Sequence, residues 1–294
     1  MASLKEVKTR INSVKNTRKI TSAMKMVASA KLHKAQGAIE RMLPYQRKMN
    51  KILANFLSTD LSIESPYVKE RQVGKVAIVA FSSNTSLCGA YNANVIKMLL
   101  QTISDFEKQV GQENILIFPV GKKVEDAMKR IGKAVEGSFA SLADKPSYQE
   151  AFVLAQKLME LYVTGEIDRV EFVYHHFKSV GVQTLLRETY LPIDLNQLVA
   201  EEDKQASGSM VADYIVEPSI EELIANLIPT VLCQRLFTAL VDSNASEHAA
   251  RTLAMQVATD NANDLIQDLT QQYNKTRQQT ITNELLDIVG GSMK

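Results

Sequence analysis

The chain has 294 residues, 45% of them hydrophobic and 23% charged, and its formal net charge is +1. These values are typical of a soluble globular protein with enough material for one large or two modest domains. No run approaches 18 consecutive apolar residues, and no apolar stretch near the start resembles a signal peptide, so direct insertion into a membrane is not expected. The two cysteines, Cys88 and Cys233, have no metal-binding or redox spacing and are expected to be inert thiols.

Charge is distributed unevenly along the chain. Residues 1–51 contain nine lysines and four arginines against Glu6 and Glu40, which gives a formal charge of +11. Residues 52–218 and 219–294 carry formal charges of −6 and −4. A strongly basic segment is therefore joined to two acidic ones, which the net charge conceals.

Residues 1–58 are predicted to form one long coiled-coil helix. Counting in sevens from Leu4 and from Val7 gives two seam positions that stay largely apolar through Phe56. Three polar residues occupy the middle of the seam: Arg18, Thr21 and Lys25. Pro44 removes one backbone donor and should kink or interrupt the helix. A helix of this length, roughly 80 Å, needs a partner along its length because one compact domain cannot cover it.

Residues 73–198 are predicted to form an α/β domain. The run KVAIVAF is suited to a strand buried on both faces, whereas RVEFVYHHF alternates like a half-exposed strand, with His175 and His176 pointing to opposite faces. The predicted strands cover 75–81, 115–120, 169–177 and 181–193, and the predicted helices cover 92–110, a segment ending at 131, and 148–163. This alternation is typical of a Rossmann-like domain.

An exposed acidic linker is predicted at 199–218, and a second long helix at 219–294. Ser219 is placed to cap this helix, Pro229 to bend it, and Gly290 with Gly291 to end it after about Val289. Alanines repeated between residues 245 and 262 form a stripe that would let another helix approach closely. Because one long helix enters the α/β domain and another leaves it, the fold class is an antiparallel coiled coil of long N- and C-terminal helices with an inserted Rossmann-like α/β domain.

The sequence contains no recognisable catalytic, cofactor or metal site. The Gly-Lys pairs lack the glycine spacing of a phosphate-binding loop, and the four histidines have no partner at zinc-ligand spacing. Two functions remain open from charge and periodicity: a basic helix that binds nucleic acid, or a mechanical scaffold whose cations face other protein subunits. The second is favoured because the cations interleave with the apolar seam, whereas basic-zipper proteins keep the two apart.

Both ends of the chain closely resemble the gamma subunits of F-type rotary ATP synthases. The resemblance is carried by RINSVKNTRKITSAMKMVASAKLHKAQ (10–36), SEHAARTLAMQVATDNANDLIQDL (246–269) and YNKTRQQTITNELLDIVGG (273–291), and it extends over essentially the whole chain. It implies a non-catalytic central rotor shaft that couples proton-driven rotation of the membrane c-ring to ATP synthesis or hydrolysis at the catalytic beta subunits. The implied partners are the alpha, beta and epsilon subunits, the c-ring and, as a further candidate, delta, with one copy of the chain per complex and no nucleic acid. The implied location is peripheral, on the cytoplasmic side of a bacterial inner membrane.

The resemblance also implies which residues touch the surrounding ring. The positions that match the family's rotor–ring contacts are Met24, Lys25, Arg251, Arg277, Gln278, Thr282 and Glu284. The apolar tip that matches the family's bearing inside the ring consists of Ile281, Leu285, Ile288 and Val289. Arg18 and Lys25 are expected to mark where the rod faces that ring.

Overall fold

The computed structural model describes residues 3–57, 65–68, 71–193, 216–217 and 219–292. Its contacts divide the chain into two compact units, one formed by residues 1–29 with 251–294 and the other by residues 30–250. The predicted linker at 199–218 lies almost entirely outside the described residues. The predicted division of the chain into four segments therefore stays a prediction.

The secondary structure follows the predicted order. The helices are α1 (Leu4–Leu57), α2 (Tyr91–Val110), α3 (Lys122–Arg130), α4 (Ala140–Asp144), α5 (Tyr148–Val163) and α6 (Ile220–Ser292), and the strands are β1 (Val76–Phe81), β2 (Ile115–Val120), β3 (Arg169–Ser179) and β4 (Val182–Leu191). The bounds of β2 and α5 are those predicted, and the other strands and α2 differ from prediction by one or two residues. The short helix α4 was not predicted.

The four strands form one mixed sheet in the order β2-β1-β3-β4. β1 is parallel to both β2 and β3, whereas β4 runs antiparallel to β3 and forms an edge. The side chains of β1 alternate between two apolar layers. Val76 and Ile78 pack with α2 and α3 on one face, and Ala77 and Val79 pack with α5, α6 and the end of α1 on the other.

α1 and α6 pair in antiparallel fashion, which confirms the predicted fold class. In the unit formed by 1–29 and 251–294, Val7 and Ile11 cluster with Leu269, and Thr21 lies opposite Thr259. In the unit formed by 30–250, the two helices meet again in a separate cluster of small and apolar residues: Leu32, Ala35, Ala245 and Ala249. Every seam position from Leu4 to Phe56 is buried or half-buried, as the heptad count predicts.

Both long helices begin with a side-chain cap. Ser219 Oγ accepts a hydrogen bond from the Glu222 N–H at 3.2 Å, which confirms the predicted cap. At the start of α1, Ser3 and Glu6 form a reciprocal pair, each side chain accepting from the other's backbone N–H at 3.2 Å. This capping box has the sequence signature Ser-x-x-Glu, which was overlooked in the sequence.

Two local expectations were wrong. β3 is not half-exposed, because all six residues from Val170 to His175 are buried between β1 and β4 and covered on both faces. Gly290 and Gly291 do not end α6, which continues to Ser292, because the missing side chains weaken a helix without forbidding it. α1 continues through Pro44, since loss of one donor is tolerated within a helix of 54 residues, and the alternative expectation of a kink stays a prediction.

One helix is apolar enough to attract attention as a membrane span. An 18-residue window in α6 has a mean hydropathy of 1.5, and 61% of that window is buried inside the protein. Burial of this extent is typical of the core helix of a globular protein. Length and composition alone would not separate the two cases.

Candidate functional site

Both cysteine side chains are buried. Cys88 is 1% exposed beside Gly89, and burial raises the pKa of the Cys233 thiol to about 11, so neither is positioned as a nucleophile. Across the described residues, no cluster of three or more histidine, cysteine or acidic side chains could hold a metal ion. His175 and His176 face opposite sides of β3, as predicted: His175 stacks on Tyr91, and His176 contacts Asp242.

The polar residues in the middle of the α1 seam are partly used inside the chain. Arg18 donates a hydrogen bond to Asn263 Oδ1 at 3.2 Å, and the hydroxyls of Thr21 and Thr259 lie 2.8 Å apart. Arg18 therefore has a polar partner on its own second helix, and its expected position facing the ring stays a prediction. Lys25 is half-buried and makes no hydrogen bond or ion pair to any residue that the structure describes. It remains the seam cation with capacity for an external contact.

The other residues matched to the family's ring contacts differ in accessibility. Met24 is half-buried and Arg251 is only 8% exposed, so each presents little surface. The remaining four are exposed along consecutive turns near the end of α6: Arg277, Gln278, Thr282 and Glu284. The Thr282 hydroxyl donates to the Gln278 carbonyl oxygen at 2.9 Å, which leaves the glutamine side chain available.

The last turns of α6 form an exposed apolar tip. Tyr273 packs with the Val7 and Ile11 cluster, and every residue described from 281 to 291 is exposed. The predicted tip residues are between 48% and 68% exposed: Ile281, Leu285, Ile288 and Val289. Residues three, four and seven apart share a helix face, so Ile281, Leu285 and Ile288 form one apolar stripe. Exposed apolar stripes of this kind commonly mark an interaction surface.

Further exposed apolar residues were missed in the sequence. On α1 they lie outside the heptad seam, and on α6 they point away from the apolar clusters shared with α1: Ile20, Met26 and Val27 on α1, and Leu253, Val257, Leu265 and Leu286 on α6. The sequence could have revealed those on α1, because they are apolar residues at positions that the heptad count does not assign to the seam. Together with the tip, they extend the apolar surface along both helices of this unit.

The chain is similar to known proteins over its whole length. The family model described as ATP synthase matches residues 3–293. The chain is 76% identical to the ATP synthase gamma chain of Bacteroides thetaiotaomicron over the full length of both chains, and 71% identical to that of Bacteroides fragilis, again over both full lengths.

Solved structures show the same fold at low sequence identity. A chain of the Euglena gracilis mitochondrial ATP synthase OSCP/F1/c-ring structure is 22% identical with a TM-score of 0.66, and the match covers 99% of this chain and 93% of that one. A chain of the Tetrahymena thermophila central stalk/c-ring structure is 20% identical with a TM-score of 0.58, covering 81% of this chain and 99% of that one. Whole-length identity, a whole-length family match and a shared fold agree, and they do not favour the nucleic-acid hypothesis. The chain belongs to the ATP synthase gamma-chain family.

Proposed function

We propose that this chain is the central rotor shaft of an F-type ATP synthase. In this role it couples proton-driven rotation of a membrane c-ring to ATP synthesis or hydrolysis at the catalytic beta subunits. The observation that carries the proposal is the antiparallel pair formed by α1 and α6, whose outward surface carries exposed apolar side chains such as Ile20, Val27 and Leu253. The gamma-chain relatives supply the class of complex to which such a shaft belongs.

The chain transmits work and performs no catalysis in this proposal. One charge crossing about 100 mV contributes about 2.3 kcal/mol, so several proton crossings must be accumulated for each ATP. A shaft that relaxed between crossings would dissipate that work. Two helices joined along a continuous seam resist bending and twisting better than either helix alone, because each supports the other at every turn.

The proposed partners follow from the family and from the accessible surfaces. The alpha and beta subunits surround the helix pair, the epsilon subunit and the c-ring bind the other end of the rotor, and delta is a further candidate. One copy of the chain serves each complex, at the cytoplasmic face of a bacterial inner membrane. Lys25 and the exposed residues from Arg277 to Glu284 make the polar contacts, and the apolar tip turns inside the ring as a bearing.

Co-purification tests the proposed class. The tagged chain, isolated from gently solubilised membranes, is expected to bring down alpha, beta and epsilon subunits and the c-ring in one complex with ATPase activity. Isolation of the chain alone, or with nucleic acid in a form that dissociates as salt is raised, would contradict the proposal.

Charge reversal at Lys25 tests the contact. Since this ammonium group has no partner within the described chain, Lys25→Glu should leave folding and ATP hydrolysis largely intact and should severely reduce ATP-driven proton pumping. The readout is the ratio of pumping to hydrolysis in inverted membrane vesicles. Lys97→Glu, at an exposed lysine of α2, is the matched control. An unchanged ratio in Lys25→Glu would remove this residue from the contact.

Arg251 is less suited to reversal because its burial adds a cost in stability.

A further inference from the structure

A short stretch of α6 is buried on every side although it is polar. All positions from Leu240 to Ala249 are buried. A helix covered all round is normally apolar, because each buried polar group must find a partner. Here six of the ten positions are polar: Asp242, Ser243, Asn244, Ser246, Glu247 and His248. The hydrogen-bond partners of these buried polar side chains therefore show how the segment is fixed to its neighbours.

Two of these side chains bind the end of β3. Asp242 Oδ1 accepts from the Phe177 N–H at 3.1 Å, and its Oδ2 lies 2.5 Å from His176 Nδ1. One turn further, Ser246 Oγ donates to the carbonyl oxygen of His175 at 3.1 Å. Three consecutive residues of the strand are therefore fixed to one side of the helix.

Ser243 and Asn244, which follow Asp242 in the helix, bind other elements. The Tyr91 hydroxyl, at the first residue of α2, lies 2.6 Å from Ser243 Oγ and 3.0 Å from the Ser243 carbonyl oxygen. The Asn244 side-chain amide donates to the carbonyl oxygen of Ala143 in α4 at 2.9 Å. Each of these bonds joins α6 to a different helix of the α/β part.

These contacts surround the helix axis. Successive residues of an α-helix are rotated by about 100°, so Asp242, Ser243 and Asn244 point in three separate directions, towards β3, α2 and α4. Ala245 completes the circle by packing in the cluster with α1. Hydrogen bonds weaken steeply when their angles change, whereas apolar contacts have no preferred direction. Rotation of α6 about its own axis would strain bonds on every side at once.

We infer that Asp242–Ser246 is a torsional lock that fixes α6 in rotation relative to the sheet. The inference rests on the proposed rotor function and names positioning residues, which hold the shaft without touching a substrate. α6 continues from this lock to Ser292 as one helix. Torque applied to the sheet therefore enters the long C-terminal helix through these hydrogen bonds, with little slip about the helix axis.

The test removes two of the hydroxyl groups that make these hydrogen bonds, with almost no change in shape. Tyr91→Phe with Ser246→Ala deletes two hydroxyl oxygens from the lock, and Tyr148→Phe with Ser104→Ala deletes the same two groups from exposed positions as a control. The assembled complex is held by its catalytic ring, and a bead is attached through Gln112→Cys, an exposed position, because Cys88 and Cys233 are buried. The measured quantity is the width of the bead's angular distribution during each pause.

We expect the lock variant to show an angular distribution wider by about 1.5-fold or more and a lower proton yield per ATP, since coupled hydrogen bonds act together. The control should match the wild type. A merely structural role would lower the amount of assembled complex without changing the width in the complexes that form. The single variants Tyr91→Phe and Ser246→Ala are measured in parallel with the double variant. If complexes assembled with either single variant show the same angular width as the wild type, the lock is overturned. A wild-type complex that does not rotate overturns the proposed function instead.

Discussion

His175 and His176 are adjacent on β3 and have opposite electrostatic surroundings. Burial of His175, 3% exposed, lowers its pKa to about 4. The hydrogen bond to the Asp242 carboxylate raises the pKa of His176, and nearby Glu188 adds to this, whereas burial and Lys178 oppose it. The stabilisation from the His176 pair is thus fully present below about pH 6.5 and is lost as the pH rises through the raised value.

Replacement of His175 tests the opposite effect. Its folded-state pKa is depressed, so its contribution to stability is present above about pH 6.5 and is lost as the pH falls towards 4, where the unfolded chain binds the proton first. His175→Phe keeps the stack on Tyr91 and removes the titration. The variant should recover about 2 kcal/mol of the stability that the wild type loses between pH 8 and pH 5.

The measurement is urea unfolding at the two pH values. His33→Phe, at an exposed histidine of α1, serves as the control and should lose as much stability as the wild type. If His175→Phe and the wild type lose equal stability on acidification, the buried imidazole is not the cause.

At the scale of the element, polar residues in the coiled-coil seam form pairs across it. Thr21 Oγ1 lies 2.8 Å from Thr259 Oγ1, and each hydroxyl also bonds a carbonyl oxygen of its own helix. The pair occupies a position where a heptad repeat normally places an apolar side chain. Such a pair favours one register of α1 against α6, because a shifted register would separate the two hydroxyls and place each opposite a different side chain.

A double-mutant cycle measures this coupling. Thr21→Val and Thr259→Val should each lower the free energy of unfolding by about 1 kcal/mol, because each removes the hydrogen bond between the two hydroxyls across the seam. The double variant should be close to the wild type, since two methyl groups then replace two hydroxyls. Thr17→Val, which removes an exposed hydroxyl bonded only within α1, is the control. Strictly additive losses would show that the threonines act independently.

The sequence predicted the long helices better than the burial of the strands. A heptad count needs only spacing, so the seam from Leu4 to Phe56 could be read directly. The burial of β3 could not be read in this way, because polar residues such as Glu171 alternate with apolar ones, as they do in a half-exposed strand. That carboxylate is buried and satisfied by Arg169, Arg187 and Thr189, two of which belong to β4. Partners supplied by a neighbouring strand are invisible in the strand itself.

The contact surface was only partly predictable for a similar reason. The tip residues of α6 came from family resemblance, and the apolar residues outside the seam, such as Ile20 and Leu286, became evident only from their exposure. Composition alone cannot distinguish an apolar residue that packs inside the chain from one left for a partner. The pairing of α1 with α6 had to be known first.

At the scale of the whole molecule, the two units have different cores. The unit formed by 30–250 contains apolar layers on both faces of its sheet. The unit formed by 1–29 and 251–294 has a narrow seam, represented by the cluster of Val7, Ile11 and Leu269. Less apolar area removed from water means less stabilisation, at about 25 cal/mol per Å².

Hydrogen exchange should reveal this difference. In the isolated full-length chain, amides in 3–29 and 251–292 are expected to open at a free energy roughly 2 kcal/mol or more below those of β1 and β3. Mass spectrometry of peptides from each region provides the measurement. In the assembled complex the same helical peptides should become protected, while those of the sheet change little. Equal protection of both units in the free chain would contradict the expectation.

The pairing of the two chain ends has a consequence for biosynthesis. The contact between Thr21 and Thr259 joins residues separated by 238 positions. At a translation rate of roughly 5–20 residues per second, the first helix leaves the ribosome roughly 10 to 50 seconds before its complement exists. During that interval the basic first helix, with its apolar seam uncovered, is accessible to chaperones, nucleic acids and other nascent chains. The first helix therefore spends that interval without the helix that later covers its seam.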